Sequence, residues 1–341
     1  MFIRVDRDDY AMTGTDSHRG IERRAFLSAI GAGAVVGTAG CTDSLDEVGG
    51  GGGEGFVTIA TGGTGGVYYI LGGGIADLLN EDEELDVDAS AEATGASVEN
   101  AQLIGAEDVE MALILGNSAL LAIEGEGDFD ESVPLQAAFG AYQNHTQVVV
   151  PEDSEIETLA DMEGASVSVG APGSGTEVIA AELLEWYGLT YDDIDEERLA
   201  FDETADALID GQLDAGFWSV GPPASSIEEV YSQREIRLLS FPEEDMEQID
   251  EEFPYYEQAT LEAGTYPGQD EDVLNPGVTN VMAVNENMDE EFLYDIMSVI
   301  FENIESLENV HQVAGDFEET ARDAPIDYHP GGESYLDDAG I

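Results

Sequence analysis

The sequence predicts an α/β fold of two lobes, each a mixed, mostly parallel sheet flanked by helices, with a ligand cleft between them. Two observations carry the α/β reading. Short β-type runs alternate with helix-period runs from Phe56 onward, and several of those junctions repeat one order of strand, glycine loop and helix. The third observation sets the number of lobes: residues 56–341 are more than a single core of ordinary size needs.

Charge bounds what the chain can touch. Its 341 residues include 76 Asp plus Glu against 9 basic residues, all of them arginine, for a formal net charge of -67. Nucleic acid and anionic lipid surfaces would repel such a protein. A hydrophobic fraction of 43% separates it from a disordered acidic tail. Acidic residues in every segment, with lysine absent, fit a halophilic protein that stays soluble where salt screens its self-repulsion.

The N-terminal region breaks this pattern. Arg23 and Arg24 precede an apolar run rich in alanine and glycine that ends at Cys41, the one cysteine. The run is too short for a membrane span. It reads as an export signal over 1–40, similar to a twin-arginine signal closing in the lipobox Thr38-Ala39-Gly40-Cys41, so that Cys41 becomes the lipidated first residue of the mature protein. Met12 is an alternative start. "TDSLDEVGGGGGEG" follows, and residues 41–55 read as an acidic, glycine-rich tether. The expected location is the outer face of the cell membrane, held by a lipid.

Four junctions define the body. In "TIATGGTGGVYYILGGGIADLL", Phe56 to Ala60 is a strand, 61–66 a flexible turn, and Val67, Ile70, Leu71, Ile75, Leu78 and Leu79 recur at helical spacing. In "VEMALILGNSALLAI" a strand ending near Leu115 meets a helix capped by Asn117 or Ser118. "ASVSVGAPGSGTEVIAAELLEWYGL" gives a strand at 165–169, a loop through Gly173, Ser174, Gly175 and Thr176, and a helix stopped by Gly188. "GQLDAGFWSVGPPASSIEEV" gives a strand at 214–219, a turn at Gly221, Pro222 and Pro223, and a further helix with proline in its first turn. Ligands of open α/β sheets bind outside the carboxyl ends of strands, so all four loops are expected around one crevice.

A helix start presents unpaired N–H groups and about half a positive charge, and glycine there lets an anion approach the main chain. Basic side chains play no part, because Arg198, Arg234, Arg237 and Arg322 lie beside none of the glycine loops. Thr64, Ser174 and Thr176 add hydroxyls, Asn117 both donates and accepts, and Tyr68, Tyr69 and Trp218 can wall an apolar flank. Of the adjacent tyrosines one faces the core and the other the cleft; spacing leaves both assignments open. "GGTGGV" has neither the lysine of a P-loop nor G-x-G-x-x-G spacing. His145, His311 and His329 sit in no catalytic or metal-ligand pattern, so no catalytic residue, metal or cofactor is expected and the chain is read as a binder rather than an enzyme.

"ATGGTGGVYYILGGGIADLL", "GAPGSGTEVIAAELL", "IDGQLDAGFW" and "HPGGESYLDDAGI" together resemble the TAXI family of TRAP-transporter solute-binding proteins. "SEIETLADMEGASVSVG" resembles the broader solute-binding pattern. Ile70 departs from the family, which commonly has proline after the paired tyrosines. The resemblance implies a periplasmic-binding-protein-like fold that closes on a small carboxylate or amino acid, such as glutamate, and delivers it to TRAP permease subunits, as a monomer. Carried over residue by residue, it implies ligand contacts at Gly63, Thr64, Gly66, Tyr69, Asn117, Ser174, Gly175 and Thr176, with Trp218 and Gly221 as looser extensions.

Lobe 1 is then expected at 56–145 plus 245–341 and lobe 2 at 146–244, with hinge strands near 141–151 and 238–245. An oxyanion receptor for a phosphate-like ligand, suggested by "GSGT", and an exported enzyme acting on a small acid are the alternative readings.

Overall fold

The computed structural model describes residues 55–341. Arg23, Arg24, Cys41 and all of the expected signal and tether except Gly55 lie outside the described residues.

The chain opens with β1 (Phe56–Ala60), α1 (Val67–Glu81), β2 (Asp88–Glu92), α2 (Ser97–Gly105), β3 (Met111–Leu115) and α3 (Gly116–Glu124). The long strand β4 (Leu135–Pro151) leads to β5 (Ser166–Ser168), α4 (Gly175–Trp186), β6 (Asp195–Glu197), α5 (Phe201–Ile209), β7 (Ala215–Val220), α6 (Ser225–Gln233) and β8 (Ile236–Leu238). Then come α7 (Glu243–Glu252), β9 (Glu257–Leu261), a second long strand β10 (Val273–Asn285), α8 (Glu290–Glu302), α9 (Ile304–Glu308), α10 (Phe317–Thr320) and α11 (Pro330–Ala339).

The strands follow the order β2-β1-β3-β10-β4-β7-β5-β6, with β8 added on β4 and β9 on β10. β1 runs parallel to β2 and β3, and β5 runs parallel to β6 and β7, the arrangement that strand, loop and helix repeats impose. β4 and β10 run antiparallel to their neighbours and are long enough to serve both halves. Residues 135–145 of β4 pair with β10, and 145–151 pair with β7 and β8.

Helical spacing of apolar residues on α1 buries Leu71, Ile75 and Leu79 completely, each contributing about 1.5–3 kcal/mol. On α4 the same spacing buries Ile179 and Leu183 in a second cluster with Val148, Val167 and Phe217. Three details differ from the sequence expectation. The α3 helix begins directly at Gly116 with Leu115 as its N-cap, so neither Asn117 nor Ser118 caps it. The α6 helix begins at Ser225, beyond Pro222 and Pro223, because Ala224 holds the extended cap position. The return to the first lobe, expected near 245, comes later: Met246, Ile249 and Tyr256 pack in the cluster of Val148 and Phe217, and β9 pairs with 273–277 of β10. The spacing of Met246 and Ile249 lets one face of α7 cover the second cluster, and Val278 of β10 still packs in it, although Leu261 and Tyr266 in between belong to the first cluster.

Candidate functional site

A cavity of about 130 Å³ lies where the ends of β1, β7 and the loops after β2, β5 and β6 meet. Four helices start at its wall. Gly66 and Val67 belong to α1, Ala96 and Ser97 to α2, Ser174 to Thr176 to α4, and Ala200 to Asp202 to α5. Each start directs backbone N–H groups and the positive end of a helix dipole inward.

The four starts are not equivalent. At α2 the Glu99 carboxylate accepts from Gly95 N–H at 2.5 Å. At α4 Ser174 Oγ accepts from Glu177 N–H at 3.2 Å, while the Glu177 carboxylate accepts from Gly173 N–H at 2.9 Å and pairs with Arg198 at 2.8 Å. At α5 the Glu203 carboxylate accepts from Ala200 N–H at 3.1 Å. The α1 helix has no acidic residue in its first turn and no side-chain cap on Gly66.

The floor of the cavity is a buried polar network across both long strands. The Tyr68 hydroxyl donates to Asn280 Oδ1 at 2.5 Å, and Asn280 Nδ2 donates to the Tyr142 carbonyl at 2.9 Å and to Asn144 Oδ1 at 2.8 Å. Asn144 Nδ2 then donates to the Ser219 carbonyl at 2.9 Å, which ties β4 to β7. Two hydroxyls at the cavity wall, Tyr142 OH and Ser219 Oγ, are buried and make no hydrogen bond among the described residues. Burial pushes the Tyr68 and Tyr142 phenols well above their ordinary range, so both remain protonated donors.

The halves touch across the cleft. Val98 N–H donates to the Gly173 carbonyl at 3.1 Å. A Cβ placed on Gly65 would lie 3.7 Å from Asp202 Cβ, and one on Gly66 would lie 3.9 Å from the Phe201 ring.

Of the residues expected at the site, Gly63, Gly66, Ser174, Gly175 and Thr176 line the cavity. Thr64, Tyr69, Asn117, Trp218 and Gly221 do not. Tyr69 is 38% exposed because its neighbour Tyr68 takes the inward position on α1. Asn117 is fully buried away from the cavity. Trp218 lies behind Phe201, stacked on it with centroids 6.1 Å apart, and its indole N–H donates to Ser226 Oγ at 3.1 Å. Gly221 supports the ring of Tyr142, 2.8 Å from where its Cβ would be. Thus two of the four expected loops reach the cavity, while the loops opening α2 and α5 take the other places.

Tyr142, Asn144, Ser219 and Asp202 escape a reading based on glycine loops. The signal for the first two is the polar run "YQNHTQ" inside the largely apolar strand β4, where Tyr142 and Asn144 are two residues apart and share a face. Ser219 follows Trp218 and so points to the opposite face of β7. Asp202 is one carboxylate among 76 and carries no signal of its own.

Residues 59–340 match the NMT1-like family. Among solved structures, PhnD1 of Prochlorococcus marinus, in complex with methylphosphonate, aligns with a TM-score of 0.52 at 10% identity, covering 84% of this chain and 99% of that one. The periplasmic aliphatic sulphonate binding protein SsuA of Escherichia coli aligns with a TM-score of 0.44 at 15% identity, covering 83% of each chain. The fold is the two-domain, periplasmic-binding-protein-like α/β arrangement, with mixed sheets and flanking helices.

Proposed function

The chain belongs to the NMT1-like family, and from that membership and the cavity between its lobes we propose that it is an extracytoplasmic solute-binding protein for a small carboxylate. The observation that carries the reading is the pair of buried, unpartnered hydroxyls of Tyr142 and Ser219 at a wall built from helix starts. A buried polar group without a partner costs about 1–3 kcal/mol, which a ligand oxygen would recover. Among the described residues the wall holds one carboxylate, Asp202, and no histidine, which supports binding rather than turnover.

The motifs shared with the TAXI family support delivery to TRAP permease subunits, with glutamate and related acids as candidate ligands. The signal containing Arg23 and Arg24 and the lipobox at Cys41 support a lipid anchor on the outer membrane face. Closure is a hinge motion on two strands, β4 near His145 and β10 near Gly277, where pairing passes from one half to the other. The ligand favours the closed state because only there do the starts of α1 and α4 act on it together.

The test is a thermal-shift panel of small carboxylates in molar KCl, followed by calorimetry on any hit. A true ligand at about a hundred times its Kd stabilises the fold by about 2.7 kcal/mol. If no carboxylate moves the melting temperature, the reading is lost.

A further inference from the structure

We propose that the ligand is a small zwitterion, an α-amino acid with a short uncharged side chain, whose carboxylate rests on the start of α1 and whose ammonium faces Asp202. The proposal rests on the solute-binding reading above and narrows it.

The carboxylate position follows from the inequality of the four helix starts. Glu99, Glu177 and Glu203 return to amides of their own loops at α2, α4 and α5, and so already place negative charge there. Only α1, among these four, offers its first turn without a neighbouring acid from its own sequence. The hydroxyls of Tyr142 and Ser219, at 0% and 4% exposure and without partners, supply two further donors to the same cavity.

The ammonium follows from charge balance. Among the described residues the cavity wall contains no arginine, lysine or histidine, and one carboxylate, Asp202, which stands against Gly65 in the loop that opens α1. Asp202 is exposed, so solvent and salt weaken its field. A ligand bearing only negative charge would still share the cavity with it, with no cation among the described lining residues to offset it. A ligand whose ammonium lies beside its own carboxylate converts that repulsion into attraction. A second carboxylate or a phosphate dianion would restore the repulsion, so glutamate, which the family resemblance implies, is set aside in favour of an amino acid with one carboxylate.

Size sets the remainder. An apolar cavity of about 150 Å³ accommodates benzene, so about 130 Å³ suits a ligand of roughly six to eight heavy atoms. Leu115, Ala171, Phe201 and Val220 offer it an apolar surface.

Calorimetry in molar KCl, on the native chain and on Asp202→Asn, tests this with L-alanine, L-threonine, propionate and L-glutamate. The expected result is binding of alanine or threonine, with propionate and glutamate at least about tenfold weaker, as the loss of a charge-assisted bond implies. In Asp202→Asn the amino acid should lose about tenfold while propionate is unchanged or improved. Propionate or glutamate binding as tightly as the better neutral amino acid overturns the zwitterion but leaves the carboxylate reading standing. So does an amino-acid affinity indifferent to Asp202→Asn. Failure of all four to bind a folded protein overturns the solute-binding reading itself.

Discussion

Gly175, the first residue of α4, lies so close to Leu115, the last residue of β3, that a Cβ on it would come within 2.4 Å of the Leu115 Cδ1 atom and 2.8 Å of Ser97 Oγ. The contact joins the two halves beside the cavity, and both neighbours are buried. Gly175→Ala is therefore expected to oppose closure while sparing each half. Overpacking of this kind costs about 1–3 kcal/mol, or roughly 5- to 150-fold in ligand affinity. Small-angle scattering should find the variant less compact than the native chain in the presence of ligand. An affinity equal to that of the native protein would remove the contact from the closing mechanism.

Tyr142→Phe and Ser219→Ala separate stability from binding. Each removes a buried hydroxyl that has no partner among the described residues, so the ligand-free variants should melt at or above the native temperature. Ligand affinity should fall by about 1–2 kcal/mol for each. A variant that melts lower and binds normally would mark that hydroxyl as structural.

Asn280 behaves in the opposite sense. It is completely buried, accepts from Tyr68 and donates to the Tyr142 carbonyl and to Asn144. Asn280→Ala leaves three buried groups without partners and should cost about 3 kcal/mol or more in urea unfolding. A loss under about 1 kcal/mol would mean the network relaxes around the missing amide.

Much of this fold is legible because local signals agree with tertiary placement. The first strand and the start of α1 fall where the glycine loop and apolar periodicity put them, while α4 opens two residues earlier than expected, at Gly175 with Ser174 as its cap, taking Gly175 and Thr176 out of the loop. The site is legible only in part, since periodicity assigns a face but not what that face meets. Tyr68 and Tyr69 show this: neighbours on a helix point about 100° apart, and only the tertiary packing of α1, with Asn280 of β10 receiving the Tyr68 hydroxyl, decides which is buried. Trp218 and Ser219 pose the same problem on a strand, where the larger side chain attracts attention and the smaller one reaches the cavity. The course of α7 and β9 was hidden for another reason, because nothing local records that β9 pairs with the start of β10.

His145 gives the fold a pH dependence. Burial pulls its imidazole down from 6.5 to about 4, with Asn275 beside it acting in the other direction. The unfolded chain therefore binds a proton below about pH 6.5 that the folded chain refuses until about pH 4. Stability from this residue is complete above that window and falls as pH drops through it, by up to about 3 kcal/mol. His145→Gln should flatten this part of the acid limb when urea midpoints are compared at pH 7 and pH 4.5. Parallel profiles for the two proteins would place the imidazole in contact with water.

Salt should govern the stability of the whole body. Its four arginines are already engaged: Arg198 pairs with Glu177 and Arg322 with Asp337, while Arg234 and Arg237 donate to backbone carbonyls. Almost all of the acidic surface thus has no cationic partner among the described residues, and the chain carries a net charge of -67. Exposed carboxylates repel over about 10 Å at 0.1 M salt but only about 3 Å at 1 M. The folded state gathers these charges and the unfolded state disperses them, so screening favours folding. The melting temperature should rise steadily as KCl increases from 0.1 M towards molar concentration, and sodium chloride should act alike if screening is the cause. A midpoint that stays level across that range would mean the acidic surface imposes no cost on the fold and that its charge serves another end.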